Sequence, residues 1–323
     1  GEFPCSGGRF RKGQPMTPVN SATLDRPVKG PTFEGVSLRR KVVNNIATVL
    51  VTLSVLVALV PLVWVLYSVI AKGIGAVSSS TWWLNSQAGM TAFAPGGGAY
   101  HAIVGTLLQA AVCALVSIPI GVFVGVYLVE YGGGTRLGKV TTFMVDILTG
   151  VPSIVAALFV YALWVATLGF ERSGLAVSLS LVLLMIPVIV RATEEMLRVV
   201  PMDLREASYA LGVPKWKTIA RIVIPTALSG IVTGIMLALA RVMGETAPLL
   251  ILVGYAQAIN FDMTGGFMGS LPGMMYDQIS AGAGANPVPT DRMWGAALTL
   301  IVLVAILNIG ARLLAGVFAP KKA

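Results

Sequence analysis

Six apolar runs, each long enough to cross a lipid bilayer, constrain this chain more than any other feature of its sequence. A membrane-spanning helix needs about 20 consecutive apolar residues, and a soluble domain would carry about 25% charged residues. Here only 11% of the 323 residues are charged. The sequence therefore predicts an all-α, polytopic membrane protein with six transmembrane helices, near residues 43–70, 103–129, 141–168, 175–190, 227–253 and 294–318.

The chain before the first apolar run has a different composition. Residues 1–38 are rich in Gly, Pro, Ser and charged side chains and show no apolar period, which predicts a disordered tail. We leave residues 1–15 out of fold reasoning because Met16 could be the native start, which would make them non-native. Residues 39–323 are predicted to form one membrane domain.

The basic residues predict the orientation of the helices, because loops rich in Lys and Arg stay in the cytoplasm. Thirteen basic residues flank the spans on one side and three on the other. Both termini and the loop at 191–225 are therefore predicted to be cytoplasmic. The net charge of +9 follows from this topology and from attraction to lipid headgroups. No basic helix or aromatic-lined groove supports nucleic-acid binding. The cytoplasmic set is Arg39, Arg40, Lys41, Arg136, Lys139, Arg191, Arg198, Arg205, Lys215, Lys217, Arg221, Lys321 and Lys322.

A short polar segment, residues 206–225, lies between the fourth and fifth apolar runs. Its first part favours a helix with small residues on one face, and Gly212 is typical of a helix end. Pro214 suits the first turn of a following helix. The segment is predicted to be a helix–turn–helix that projects into the cytoplasm. An ordinary connector is the alternative.

The spacing of this segment resembles the cytoplasmic loop of bacterial ATP-binding-cassette (ABC) importer permeases. Ser208 and Ile224 depart mildly from the family pattern. In that family the loop forms a coupling helix that sits in a groove of the ATPase subunit, so the resemblance implies an ATPase-coupling role for residues 191–225. The matching residues are Glu206, Ala207, Gly212, Ile222 and Pro225, and Ser208 stands at the remaining motif position.

Gly150, Pro152 and Ser153 interrupt the third apolar run. A proline within a membrane helix leaves a backbone carbonyl that neighbours or water must satisfy. The interruption predicts either a packing kink or a break that bends during gating. The motif also resembles the Gly-x-Pro-Ser of phosphate-importer permeases. Asp146, in the same run, is predicted to face the cytoplasmic mouth or to stabilise the helix N-terminus rather than to contact substrate.

Arg241 and Glu245 place two opposite charges in the fifth apolar run. In a continuous helix, residues four apart share a face and lie about 6 Å apart along the axis. Each charge at mid-membrane costs about 2.5–3.5 kcal/mol. Either the two form an intrahelical salt bridge that only fixes packing, or Arg241 faces the pore and Glu245 tunes it. An arginine suits an oxyanion because its planar fork donates to phosphate oxygens.

The string from Arg241 to Leu249 resembles the matching span of permeases from phosphate-specific importers. There the arginine and glutamate are the intramembrane charges associated with phosphate passage. The resemblance implies a permease that imports inorganic phosphate across the bacterial cytoplasmic membrane. It also implies a second, PstC-like permease, two copies of a PstB-like ATPase that uses ATP and Mg, and an extracytoplasmic PstS-like phosphate-binding protein. Membrane lipids surround the chain, which is expected to bind no cofactor itself.

The sequence leaves two other transport functions open and argues against nucleotide, metal and catalytic sites. The same architecture could carry another oxyanion or small solute, and an ATPase-independent channel or carrier is a weaker alternative. Residues 133–139 match the sequence pattern of a phosphate loop up to its lysine. Val140, however, occupies the position where a Ser or Thr must bind Mg²⁺. We predict no metal site and no catalytic residues. Cys5 and Cys113 are not expected to pair.

The long outer segment, residues 254–293, is rich in glycine and net acidic. Its residues 268–279 could form a short interfacial helix that Pro272 and Gly273 break. We expect this segment to close the outer mouth and to meet the binding protein. A disordered linker is the alternative. His101, the single histidine, lies at the outer end of the second run and is predicted to be incidental.

Overall fold

A computed structural model describes residues 37–318, and within that range the chain is built from α-helices with no β-strand. A π-helical stretch, Tyr161–Thr167, extends α5, and another, Ile219–Val223, joins α8 to α9. The helices are α1 Leu38–Val77, α2 Ser80–Leu84, α3 Tyr100–Glu130, α4 Arg136–Thr149, α5 Ser153–Val160, α6 Gly174–Val199, α7 Met202–Ala210, α8 Lys215–Thr218, α9 Ile224–Met243, α10 Ala247–Leu252, α11 Leu271–Ser280 and α12 Pro287–Phe318.

The chain divides into two compact units after Pro61, which lies inside α1. Of the first unit the structure describes Ser37 and the helical residues up to Pro61. The predicted tail, residues 1–38, falls outside the described residues except for its last two, and Leu38 already starts α1. The second unit contains the remaining helices and every site discussed below.

The helices confirm an all-α polytopic membrane fold. Within the described residues, five helices are long and apolar enough to span a bilayer, and α4 with α5 forms a sixth, bent pair. The fourth predicted run continues as helix to Val199, beyond the predicted end at 190. The five are Leu38–Val77, Tyr100–Glu130, Gly174–Val199, Lys215–Met243 and Pro287–Leu313.

The third predicted span is not one straight helix. α4 ends at Thr149, α5 begins at Ser153, and the two helices meet at 105°. Pro152 causes the break: its ring has no N–H to donate, and its extended backbone (φ −60°, ψ 140°) places it just before α5. The sequence interruption is therefore a sharp turn between two helices. Whether it moves during transport stays a prediction.

α6 forms the centre of the second unit. In its most apolar window 56% of the residues are buried, against 28% or less in the other four spans. α3 packs against α6 through glycines. A Cβ at Gly121 would lie 2.7 Å from Ile189, and one at Gly125 would lie 2.8 Å from Thr193. Their missing side chains allow the two backbones to approach more closely than larger residues would permit.

The outer segment is an ordered cover seated on α3. Its backbone crosses α3 at Gly105, where an added Cβ would lie 1.9 Å from the Gly269 carbonyl oxygen. The Leu271 N–H donates to Thr106 Oγ1 at 2.9 Å. The expected helix at 268–279 is Leu271–Ser280, and Pro272 lies in its first turn, where a proline fits, instead of breaking it. The predicted break at Pro272 and Gly273 is therefore wrong, as is the disordered linker.

His101 helps to hold this cover. Its Nε2 lies 2.8 Å from the Tyr255 hydroxyl, and that hydroxyl donates to Gln87 Oε1 at 3.2 Å. Burial, followed by the nearby charge of Asp277, raises the pKa of Tyr255. The pKa of Asp277 is also raised, mainly by its own burial. The outer segment therefore packs on the membrane helices through apolar side chains, such as Leu271 and Met274, and through these polar contacts.

Candidate substrate path and coupling loop

Arg241 and Glu245 lie on either side of a helix end. α9 stops at Met243, and Gly244 caps it by donating its N–H to the Arg241 carbonyl at 3.1 Å. Glu245 follows in the short connection to α10. The expectation that both residues share one helix face is wrong, because the helical register assumed between them ends before Glu245. Gly244 and Pro248 are the residues in the sequence that indicate this break.

The two charges do not neutralise each other. None of the ion pairs found within residues 37–318 involves Arg241 or Glu245. Arg241 is exposed, and Glu245 is half-buried. The intrahelical salt bridge considered from the sequence is therefore not formed in this structure. Within the part of the chain that the structure describes, the Arg241 guanidinium forms no ion pair and can donate to another group.

Glu245 lines a narrow crevice that α3, α9 and the outer cover enclose. Thr106 and Gln109 of α3 line it, and Ser270 of the cover closes it. Gln109 is 3% exposed, and among residues 37–318 its amide nitrogen has no hydrogen-bond partner. An unsatisfied buried donor costs about 1–3 kcal/mol. Sequence reasoning missed Gln109, although an amide within the apolar run at 103–129 was a visible signal.

A helix interrupted within a membrane domain has a recognised use. In many transporters the substrate site lies at discontinuous helices, where unpaired backbone groups and charged side chains meet. The break at Gly244 has this form, with a cation before it and a carboxylate after it. The arrangement can attract an anion at Arg241 while Glu245 opposes tight retention.

The predicted helix–turn–helix is present in the described chain. α7 ends at Ala210, and Gly212 adopts φ 74°, a left-handed conformation that favours glycine. The Ser208 hydroxyl lies 2.8 Å from the Thr218 hydroxyl, and both residues are buried. Ser208 therefore joins the two helices of the loop, whereas Glu206 and Ala207 are exposed.

Ile222 and Pro225 lie where the loop becomes a membrane helix. Lys215 to Met243 is one continuous helix, and its turn at Ile219–Val223 is π-helical. Pro225 cannot donate to the carbonyl four residues earlier, and a wider turn accommodates this missing bond. Both Ile222 and Pro225 are half-buried. They shape the base of the loop rather than its tip.

The tip of the loop carries large exposed apolar side chains. Leu211 is 83% exposed and Trp216 is 65% exposed. Met202 and Tyr209 add to this surface on α7. Clustered exposed aromatic and methionine side chains are typical of a protein-binding surface. The loop can therefore seat in a groove of another protein.

Residues 117–323 match the family described as binding-protein-dependent transport system inner membrane component. The chain belongs to this family. It is 56% identical to phosphate transport system permease protein PstA 1 of Mycobacterium tuberculosis (strain CDC 1551 / Oshkosh) over 93% of this chain and 97% of that protein. It is 55% identical to PstA of Mycobacterium leprae over 90% and 94%, and 39% identical to PstA of Pasteurella multocida over 88% and 96%.

Solved structures of other permeases of this class share the fold. A bacterial ABC transporter that imports the acidic polysaccharide alginate gives a TM-score of 0.58 at 12% identity, over 84% of this chain and 95% of that one. The MetNI methionine ABC transporter gives 0.55 at 21% identity, over 68% and 95%. At these identities the likeness supports the fold alone. Together with the family match it makes this chain a multi-pass ABC importer permease.

Asp146 of the permease pairs with Arg191 of α6. Arg191 also reaches Glu194 at 2.7 Å, and Glu194 reaches Arg198 at 2.5 Å. Asp146 lies in the last turn of α4, and Arg191, Glu194 and Arg198 lie near the C-terminal end of α6. This chain of charges gives Asp146 a partner other than Arg241, and the mouth-facing role stays a prediction.

A second set of charges connects the coupling loop to the membrane helices. Arg205 of α7 donates to the Glu130 carboxylate at the end of α3, and also to the Leu197 carbonyl of α6 at 2.9 Å. Lys215 of α8 donates to the Glu130 carbonyl and lies 4.8 Å from the ring centre of Tyr131. We call these contacts the cytoplasmic bracket. Sequence reasoning missed it because Glu130 and Arg205 are 75 residues apart.

Proposed function

We propose that this permease is the transmembrane subunit of an ATP-driven importer that moves inorganic phosphate into the cytoplasm. The observation that carries the proposal is the pair Arg241 and Glu245, unpaired with each other at a helix break, in a chain 56% identical to a phosphate transport permease. Phosphate is a compact anion, and a guanidinium binds its oxygens with two parallel hydrogen bonds. The guanidinium of Arg241 therefore suits phosphate as a substrate.

The permease works within a larger assembly. A homologous second permease completes the pore, and a phosphate-binding protein delivers substrate to the outer cover. Two ATPase subunits dock on the cytoplasmic side and use ATP and Mg. Both termini of the permease and its coupling loop face the cytoplasm, where its basic residues cluster. The permease itself catalyses no covalent step.

Arg241 and Glu245 have opposite effects on the binding of phosphate in the pathway. Arg241 offers phosphate a fixed positive charge within the membrane, where the low dielectric strengthens their attraction. Glu245 limits that attraction, because a pathway must bind its ion weakly enough to release it. The crevice beside Glu245 is about 10 Å³ in volume, so it would have to widen before the Gln109 amide could donate to phosphate oxygens.

The coupling loop transmits the state of the ATPases. Closure of the ATPase dimer on ATP draws the two coupling loops together, and the permeases switch between inward- and outward-facing arrangements. Glu206, Ala207 and the exposed apolar tip contact the ATPase. Gly150, Pro152 and Ser153 supply the hinge at which α4 turns against α5.

Phosphate uptake in a defined system tests the substrate. We expect cells that lack their own permease to regain labelled-phosphate uptake when they express this chain with its second permease, ATPase and binding protein. Excess sulfate or molybdate should leave the uptake unchanged, and an inactive ATPase should abolish it. Uptake that persists without ATP hydrolysis would identify a channel or carrier instead. Competition by sulfate at equal concentration would reject phosphate as the specific substrate.

Glu206→Ala is expected to reduce capture of the ATPase by about tenfold, because a central contact of an interface contributes more than about 1 kcal/mol. Purified permease pairs would be titrated with ATPase on a sensor surface. Asp203→Ala is the matched control, because Asp203 is another exposed acid on α7. Equal losses for both variants would mean that only net charge matters, and no loss for Glu206→Ala would remove it from the interface.

A further inference from the structure

The cytoplasmic bracket joins four helices at one place. Glu130 ends α3, Leu197 lies in the last turn of α6, Arg205 lies in α7 and Lys215 starts α8. The side chains of Glu130 and Arg205 are only 3% and 10% exposed. The other ion-pair chain, from Asp146 through Arg191 and Glu194, ends in Arg198, whose side chain is 68% exposed. The bracket is therefore the buried charged connection between the loop and the membrane helices.

A buried ion pair has a particular mechanical property. Water does not replace its contacts when they stretch, so separation of the two groups leaves both charges unsolvated. Arg205 adds a planar fork that holds Glu130 on one side and the Leu197 carbonyl on the other. A displacement of α7 therefore carries the ends of α3 and α6 with it.

α3 connects this bracket to the crevice at Glu245. It is helical from Tyr100 to Glu130, with Pro119 inside it, and Thr106 and Gln109 near its outer end line the crevice. Residues 109–130 span about 31 Å at a rise of about 1.5 Å per residue. The glycine contacts with α6 keep the two helices together over this length. A movement at Glu130 is thus passed to Gln109.

We propose that Glu130 and Arg205 are positioning residues that make α3 the lever between the coupling loop and the crevice at Glu245. The lever rests on the proposed function, since it assumes that an ATPase moves the loop. When the loop moves inward, Arg205 pulls α3 and α6 as one body. Gln109 then shifts relative to Glu245, and the crevice changes its width as phosphate passes.

The test separates coupling from folding. The complete importer, reconstituted in liposomes, is assayed for phosphate taken up per ATP hydrolysed. We expect Glu130→Gln to assemble and to hydrolyse ATP, but to lower this ratio by about tenfold. The double variant Glu130→Arg with Arg205→Glu should restore part of the ratio. A residue with only a structural role would change the amount of assembled importer and leave the ratio unchanged.

Two controls keep the outcome decisive. Arg198→Ala removes an exposed cation whose partner, Glu194, keeps Arg191, and it should keep the wild-type ratio. If Glu130→Gln fails to assemble, Lys215→Ala, which removes only the amine contacts, must lower the ratio instead. The lever proposal is wrong if the assembled variant takes up as much phosphate per ATP hydrolysed as the wild type does.

Glu206→Ala in the same assay distinguishes the lever from the proposed coupling role. Glu206→Ala could disturb ATPase docking while the bracket variants keep the wild-type ratio of phosphate uptake to ATP hydrolysis. In that case only the lever proposal is wrong. If neither Glu206→Ala nor the bracket variants change docking or the ratio, the assignment of the loop fails with it.

Discussion

Arg241→Gln is expected to reduce phosphate uptake by about 10- to 150-fold, because losing a hydrogen bond to a charged group costs about 1.5–3 kcal/mol. Glutamine keeps a polar donor, on a shorter side chain, and removes the positive charge. Arg241 is exposed and forms no ion pair within the described residues, so its loss leaves no buried partner behind. The permease should fold and assemble normally, and labelled-phosphate uptake would measure the effect.

Arg312→Gln provides the matched control for this experiment. Arg312 is another exposed arginine on a membrane helix, α12, and it lies far along the chain from the helix break at Gly244. Its replacement should leave uptake within about twofold of wild type, the change expected for a surface position. Normal uptake by Arg241→Gln in an assembled importer would show that the charge serves no purpose in translocation.

Gly105→Val is expected to destabilise the permease by about 3 kcal/mol, the upper part of the usual range for overpacking. The new Cβ would meet the Gly269 carbonyl oxygen at 1.9 Å, and a backbone atom cannot rotate away as a side-chain end can. The outer cover must then lift from α3 and lose the hydrogen bond from the Leu271 N–H to Thr106. Thermal unfolding of the detergent-solubilised protein would record a lower melting temperature.

Gly75→Ala is the control for this substitution. Gly75 also lies in a helix, near the C-terminal end of α1, but an added Cβ there meets no atom within 4 Å. Alanine also favours helix over glycine by about 1 kcal/mol, so the melting temperature should stay the same or rise. An unchanged melting temperature for Gly105→Val would show that the cover is not seated on α3.

Hydropathy and local spacing predicted the broad architecture well. Each apolar run is a helix or a helix pair, and Gly212 ends α7 with the left-handed backbone that its residue type favours. These features are local: bilayer thickness sets the length of a run, and a few neighbouring residues decide a turn. The outer segment was harder, since whether Pro272 starts or breaks a helix depends on the cap at Ser270.

Long-range pairing could not be predicted from spacing. Glu130 was visible as an acid at the end of an apolar run, but nothing local shows that Arg205 reaches it. The same holds for Asp146 and Arg191, which are 45 residues apart. Counting along an assumed continuous helix also misplaced Glu245, because the helix ends at Met243. Pairs of distant charges need the packing of whole helices to be known.

The glycine contacts between α3 and α6 limit how permeases of this design can diversify. Gly121 and Gly125 sit against Ile189 and Thr193 with no room for a larger side chain on either helix. New solute preferences therefore cannot arise by reshaping this seam, because any added bulk would separate the two helices. Variation has to accumulate elsewhere, for example at the end of α9, where a Cβ added at Gly244 would make only ordinary contacts.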